Sequence, residues 1–70
     1  MDMKWEDGFK IRVSVDEDGA CVIDANWAGL LSLSQNILAL AKEQAGSHFH
    51  LDAHNSLEEG SCELIIGKTE

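Results

Sequence analysis

The sequence has 70 residues, of which 13 are acidic and 5 basic, giving a formal net charge of −8. A chain this short forms one domain with a thin core, so we expect a single domain over 1–70, with a polar leader at 1–8 and a folded core at 9–68. The acidity excludes nucleic acid and anionic membrane surfaces as partners, because both require clustered Lys and Arg. It suits a basic protein partner, although acidic proteins without such a partner are common.

The leader is charged and lacks the apolar run of a signal peptide, and no apolar run in the chain could span a bilayer. We therefore expect a cytoplasmic protein. Cys21 and Cys62 do not have the spacing of a disulfide framework. We expect both to be free and buried as small hydrophobic residues. A disulfide between them is possible only if their strands are neighbours.

Strict alternation of apolar and polar residues predicts a first strand over Phe9–Val15. The acidic turn Asp16–Gly19 follows, and its Asp-Gly pair is typical of a hairpin. It does not have the ligand spacing of a calcium-binding loop. A returning strand is then expected over Ala20–Ala25.

A helix is predicted over Trp27–Ala45, with Asn26 as its N-cap and Gly46 as a left-handed C-cap. Its apolar half contains Trp27, Leu30, Leu31, Leu33, Ile37, Leu38, Leu40, Ala41 and Ala45. Its polar half contains Ser32, Gln35, Asn36, Lys42 and Glu43.

We expect Trp27 in the core, and Trp5 either closing the core or serving as an exposed anchor. The apolar arc spans about 180°, whereas one buried face needs roughly 100°. Either a curved sheet and loops cover the excess, or the excess docks a partner or a second copy.

A third strand over Ser47–Ala53, or to His54, and a fourth over Ser61–Lys68 complete the chain. The predicted fold is α+β: a two-layer β-β-α-β-β domain with one amphipathic helix packed on a four-stranded, mainly antiparallel sheet.

All three histidines lie within the third predicted strand. Alternation places His48, His50, Asp52 and His54 on one face, which is the open face if Phe49 and Leu51 meet the helix. Three interpretations stay open: a solvated polar face, a partner contact, or a zinc site built from His48, His50 and His54. A flat strand spreads three consecutive same-face residues apart, so a further ligand such as Glu63 or Asp24 would be needed.

The sequence contains no nucleophile elbow and no phosphate-binding loop. We therefore expect a binding protein and not an enzyme, with no cofactor apart from the zinc alternative. A further alternative is a homodimeric assembly module whose interface is the part of the helical apolar arc that the core does not need.

Three segments together resemble the immunity protein 32 family of bacterial polymorphic toxin systems. They are Gly29-Leu30-Leu31-Ser32-Leu33, Gly46-Ser47-His48-Phe49-His50-Leu51-Asp52 and Leu57-Glu58-Glu59-Gly60-Ser61-Cys62-Glu63-Leu64-Ile65-Ile66. The resemblance covers about residues 20–68. It implies a small cytosolic antidote, monomeric or homodimeric, that binds a cognate toxin domain and blocks it, and it transfers no catalytic residue.

Under this interpretation, we expect the partner contacts to come from the acidic turn, the histidine face and the following loop. These residues are Asp16, Glu17, Asp18, His48, His50, Asp52, His54, Glu58 and Glu59.

Overall fold

The computed structural model describes residues 1–70 and has the predicted element order β-β-α-β-β. The strands are β1 (Ile11–Val15), β2 (Cys21–Ala25), β3 (His48–Leu51) and β4 (Leu64–Gly67), and the helix is α1 (Trp27–Ala41). The α+β class is confirmed.

β1 and β2 form an antiparallel hairpin in which Ile11 lies opposite Ala25 and Val15 opposite Cys21. The predicted turn joins them. Its Gly19 has a φ of +84°, a left-handed conformation that side chains disfavour. The turn is closed by a hydrogen bond from the Asp16 amide to the Ala20 carbonyl at 2.9 Å.

β3 and β4 form a second antiparallel pair, with His48 opposite Gly67 and Leu51 opposite Leu64. No strand ladder joins the two pairs, so the prediction of one four-stranded sheet is wrong. The strands instead form two separate two-stranded sheets.

The segment that precedes β4 explains the break between the sheets. The amides of Glu58 and Cys62 both donate to β1, to the carbonyls of Ile11 and Val13, each at 2.8 Å. Amides four residues apart thus bond carbonyls only two residues apart, so the segment bulges and cannot continue as a regular ladder. The Val13 amide bonds the Ser61 hydroxyl at 3.2 Å in place of a backbone carbonyl. This segment holds the two hairpins side by side.

β3 is shorter than predicted because Asp52 begins a turn. Its carbonyl accepts from the amides of Asn55, Ser56 and Leu57, at 3.3, 3.1 and 2.9 Å. Its side chain accepts from the amides of His54 and Asn55, at 2.8 and 3.1 Å. A short polar side chain that caps its own turn competes with extended pairing, and here it ends the strand at Leu51.

Asn26 caps α1 as predicted, its Oδ1 accepting from the Gly29 amide at 2.8 Å. The helix ends at Ala41 with Lys42 as C-cap, not at Ala45. Gly46 has the expected positive φ of +92°, but it lies beyond the helix and its amide donates to the Lys68 carbonyl at 2.8 Å. The Lys68 ammonium donates to the carbonyls of Ala41 and Glu43, at 2.8 and 2.7 Å, and so satisfies the helix end.

The buried face of α1 differs from the predicted one. It consists of Ala28, Gly29, Ser32, Leu33, Asn36 and Leu40. Ser32 and Asn36, which were expected on the polar half, are 0% and 1% exposed. Both bond the backbone of the leader: the Glu6 amide donates to Ser32 Oγ at 2.8 Å, and the Lys4 amide to Asn36 Oδ1 at 2.8 Å. The extended leader supplies polar partners that helical periodicity alone does not reveal.

Much of the predicted apolar half faces solvent instead. Trp27, expected in the core, is exposed, as are Leu30, Ile37 and Leu38. Cys21 and Cys62 are free as predicted, but both are exposed and not buried.

The core lies between α1 and the inner faces of both strand pairs. Its buried members are Ile11, Val13, Leu33, Leu40, Phe49, Leu51 and Leu57. Trp5 packs against this cluster and stacks on Phe9 with a ring-centroid distance of 4.8 Å. Of the two interpretations of Trp5, the structure supports core closure.

Candidate partner-binding surface

The inner faces of both strand pairs meet one core, so their outer faces lie on the same side of the molecule. In β3, Phe49 and Leu51 are buried, whereas His48 and His50 are exposed. The predicted alternation along these four residues is confirmed. In β1, Arg12 likewise points away from the core.

The two strand histidines are neighbours on this outer face. Their ring centroids are 5.0 Å apart, in an edge-on arrangement. His50 Nδ1 lies 3.4 Å from Glu63 Oε2, and both side chains are about half exposed. His48 Nδ1 lies 3.3 Å from the Gly46 carbonyl. Both histidines keep an accessible ring edge for a partner.

β3 ends at Leu51, so the strand alternation from which Asp52 and His54 were predicted on this face does not extend to them. Both follow the end of β3, and Asp52 is engaged as the cap of its turn while His54 is exposed within that turn. A strand has to continue to keep alternate residues on one face, and this one stops at Leu51. The chain brings together no group of three or more His, Cys, Asp or Glu residues that could hold a metal. The structure therefore brings His48 and His50 together but groups no third proposed zinc ligand with them.

The acidic turn lies at the far end of the first hairpin. Asp16 has a structural role, because its Oδ1 accepts from the amides of Asp18 and Ala20, each at 2.9 Å. Glu17 and Asp18 have exposed side chains for which the structure shows no partner. Only these last two carboxylates are fully available at the turn.

Glu58 and Glu59 lie beside β1, within the bulged segment between the two hairpins. The Arg12 guanidinium donates to the Glu59 carbonyl at 3.0 Å, leaving the Glu59 carboxylate exposed. Glu58 also lines a shallow groove with Lys10, Arg12 and Asp24. Lys10, Arg12 and Asp24 are not in the predicted contact set, although the alternation of the first two predicted strands already placed them on the outer face.

The carboxylates are not neutralised within the chain. None of the 13 is buried, and the one contact within 4.0 Å between a carboxylate and a basic side chain is His50–Glu63. Arg12 and Lys68 donate to backbone carbonyls and not to carboxylates. A net charge of −8 is therefore presented to solvent with little internal compensation.

Fold and surface define a small α+β domain with an acidic, histidine-bearing sheet face. The structure contains no helix that is both long enough and apolar enough to cross a membrane. A family model described as Immunity protein 32 matches residues 21–69, well over half of the chain. The protein belongs to the immunity protein 32 family, which confirms the resemblance found in the sequence. Comparison with curated proteins and with solved structures gives no match.

Proposed function

We propose that this protein is a cytoplasmic antidote that binds a cognate toxin domain and neutralises it by occupying its surface, without catalysing a reaction. Membership of the immunity protein family supports this role in general. The observation that carries the finer proposal is the uncompensated acidic surface, since none of its carboxylates contacts a Lys or an Arg.

Such a surface favours a basic partner. Carboxylates that have no internal ion pair attract basic groups over a distance and accelerate encounter. They also need not give up an existing ion pair when they bind. A toxin domain with a basic active-site surface, as in an enzyme that acts on nucleic acid, has the complementary charge.

The proposed contact set follows the sequence prediction: Asp16, Glu17, Asp18, His48, His50, Asp52, His54, Glu58 and Glu59. Within it, Asp16 and Asp52 act as turn caps, so their replacement would alter the backbone. The informative positions are those with free side chains. They form three groups: Glu17 with Asp18, His48 with His50, and Glu58 with Glu59.

The test is protection of cells that express the toxin encoded by the neighbouring gene. We expect Glu17→Gln/Asp18→Asn, His48→Ala/His50→Ala and Glu58→Gln/Glu59→Gln to weaken protection, and their combination to abolish it. The matched control is Asp2→Asn/Asp7→Asn, which removes two exposed leader charges outside the contact set. Full protection by the combined variant would refute the contact set, and lack of protection by the wild type would refute the function.

A further inference from the structure

The outward side of α1 is apolar and uncovered. Its exposed fractions are 76% for Trp27, 55% for Leu30, 44% for Ile37 and 58% for Leu38. At 100° per residue these four positions fall within an arc of about 100°, on the side of the helix away from the core. We call this set the outer helix face. It is the part of the predicted apolar arc that neither sheet nor loop covers.

The outer helix face is electrically neutral although the protein is strongly acidic. The helix sequence WAGLLSLSQNILALA contains no charged residue. A surface helix of a soluble monomer normally carries charged residues on its solvent side. The acidic residues of the proposed toxin contact lie instead in the turn between β1 and β2 and in the connection between β3 and β4.

The exposed area is large for a protein of this size. The four side chains expose on the order of 450 Å², taking typical apolar side-chain areas. The whole chain exposes 4840 Å², whereas a monomer of 7.7 kDa is expected to expose about 4,300 Å². With 11 of 70 residues buried, the chain has the thin core that small domains often supplement by association.

A free strand edge ends one residue before this helix begins. The backbone carbonyls of Ile11 and Val13 point away from β2 and bond the bulged segment. Because backbone groups alternate in direction along a strand, the N–H and C=O groups of Arg12 and Ser14 point toward β2. On β2, the backbone groups of Cys21, Ile23 and Ala25 then point away from β1 and have no partner. An unpaired edge of this kind is a template for another strand. Asn26 alone separates β2 from Trp27.

We infer that the outer helix face and the free edge of β2 form the interface of a homodimer. Two copies would pair across a two-fold axis, with the same residues contributed by each. Charge decides between a second copy and the toxin as the occupant. A basic toxin is attracted to the carboxylates elsewhere on the molecule, whereas the neutral helix face can meet its own copy without placing carboxylates together.

Both elements are needed because the outer helix faces alone bury too little area. Two outer helix faces bury about 900 Å² together, just below the roughly 1,000 Å² at which specific interfaces begin. Pairing of the β2 edges adds backbone hydrogen bonds and covers Ile23, which is exposed on the helix side of the hairpin. Together the two elements pass this threshold of roughly 1,000 Å².

Sedimentation velocity over a range of concentrations from low to high micromolar tests the proposal. The wild-type chain should sediment with twice its 7.7 kDa mass. Leu38→Glu should raise the dimer dissociation constant roughly 30-fold, the loss typical of a central contact residue. Ile65→Glu is the matched control, because Ile65 is similarly exposed at 54% but lies on the opposite face of the molecule, and it should leave the dimer intact.

A fluorescence measurement gives a second readout that does not depend on a charged substitution. In a Trp5→Phe chain, Trp27 is the remaining tryptophan, and its emission should shift to shorter wavelength as the chain concentration rises. A wild-type chain that stays monomeric, a Leu38→Glu variant that stays dimeric, or Trp27 emission that does not change with concentration would overturn the homodimer. If the chain is monomeric and Leu38→Glu abolishes protection against the toxin, the helix face belongs to the toxin and the proposal is likewise overturned.

Discussion

The side-chain amide of Asn36 makes two hydrogen bonds to the backbone of Lys4. Its Oδ1 accepts from the Lys4 amide at 2.8 Å and its Nδ2 donates to the Lys4 carbonyl at 3.0 Å. The Asn36 side chain thus bonds both backbone groups of Lys4, as a neighbouring strand would do. This pairing fixes the leader on α1 and explains why a polar residue occupies the buried face of the helix.

Asn36→Ala should lower the free energy of unfolding by about 2–3 kcal/mol, because it leaves two partly buried backbone groups without partners. Urea denaturation followed by circular dichroism measures the loss. The control is Ser34→Ala on the exposed side of the same helix, whose hydroxyl bonds only the Leu31 carbonyl, and we expect a change within about 0.5 kcal/mol. Equal effects of the two substitutions would show that the leader does not depend on Asn36.

Gly29→Ala should destabilise the protein, although alanine is normally the better helix former by about 1 kcal/mol. A Cβ at Gly29 would lie 2.4 Å from the Lys10 carbonyl oxygen, a backbone atom that cannot rotate away. We expect a loss of about 1–3 kcal/mol from overpacking. Gly67→Ala is the matched control because its Cβ would meet the His48 Cβ at an ordinary 3.5 Å. A melting temperature that rises for Gly29→Ala would contradict the close approach of helix and strand.

The Asn26 side chain joins the start of α1 to the segment that leads into β1. Its Oδ1 accepts from the Gly29 and Lys10 amides, at 2.8 and 3.0 Å, and its Nδ2 donates to the Gly8 carbonyl at 2.9 Å. Asn26→Ala should cost about 1–2 kcal/mol of stability. Asn26→Asp keeps the acceptor for both amides and replaces the donor with a carboxylate oxygen beside the Gly8 carbonyl; because Asp caps a helix as well as Asn does, its effect should be smaller. If Asn26→Asp is as damaging as Asn26→Ala, the cap is not what stabilises this junction.

Lys68 stabilises the carboxyl end of α1 from a distant part of the chain. Lys68→Met removes the two hydrogen bonds to the Ala41 and Glu43 carbonyls and should cost about 1 kcal/mol. Lys42→Met removes the same charge from an exposed side chain that makes no such bond, and it should change stability little. Thermal unfolding of both variants at one salt concentration separates the hydrogen bonds from the general effect of charge.

The local features of the fold could be predicted from the sequence. Alternation along β1, the Asp-Gly turn and the Asn26 cap depend on neighbouring residues, and the structure contains each of them. The exposed strand positions of His48 and His50 followed from the same rule. These predictions required no knowledge of which elements meet.

Two of the wrong predictions depend on contacts between distant segments. Ser32 and Asn36 are buried because the leader satisfies their polar groups, and this is invisible in the helical pattern. The sheet divides because the segment around Ser61 bonds β1 irregularly. The end of β3 is instead a local effect: Asp52 caps a turn, so strand alternation stops before His54, and no third proposed zinc ligand is grouped with His48 and His50.

We propose that the uncompensated acidic surface captures a basic toxin domain. The most direct measurement is a calorimetric titration of the purified chain with the toxin domain encoded by the neighbouring gene, at low and at high salt. We predict one chain bound per toxin domain, with an affinity that falls as salt screens the carboxylates. No binding, or an affinity independent of salt and of the Glu58→Gln/Glu59→Gln substitutions, would contradict the account.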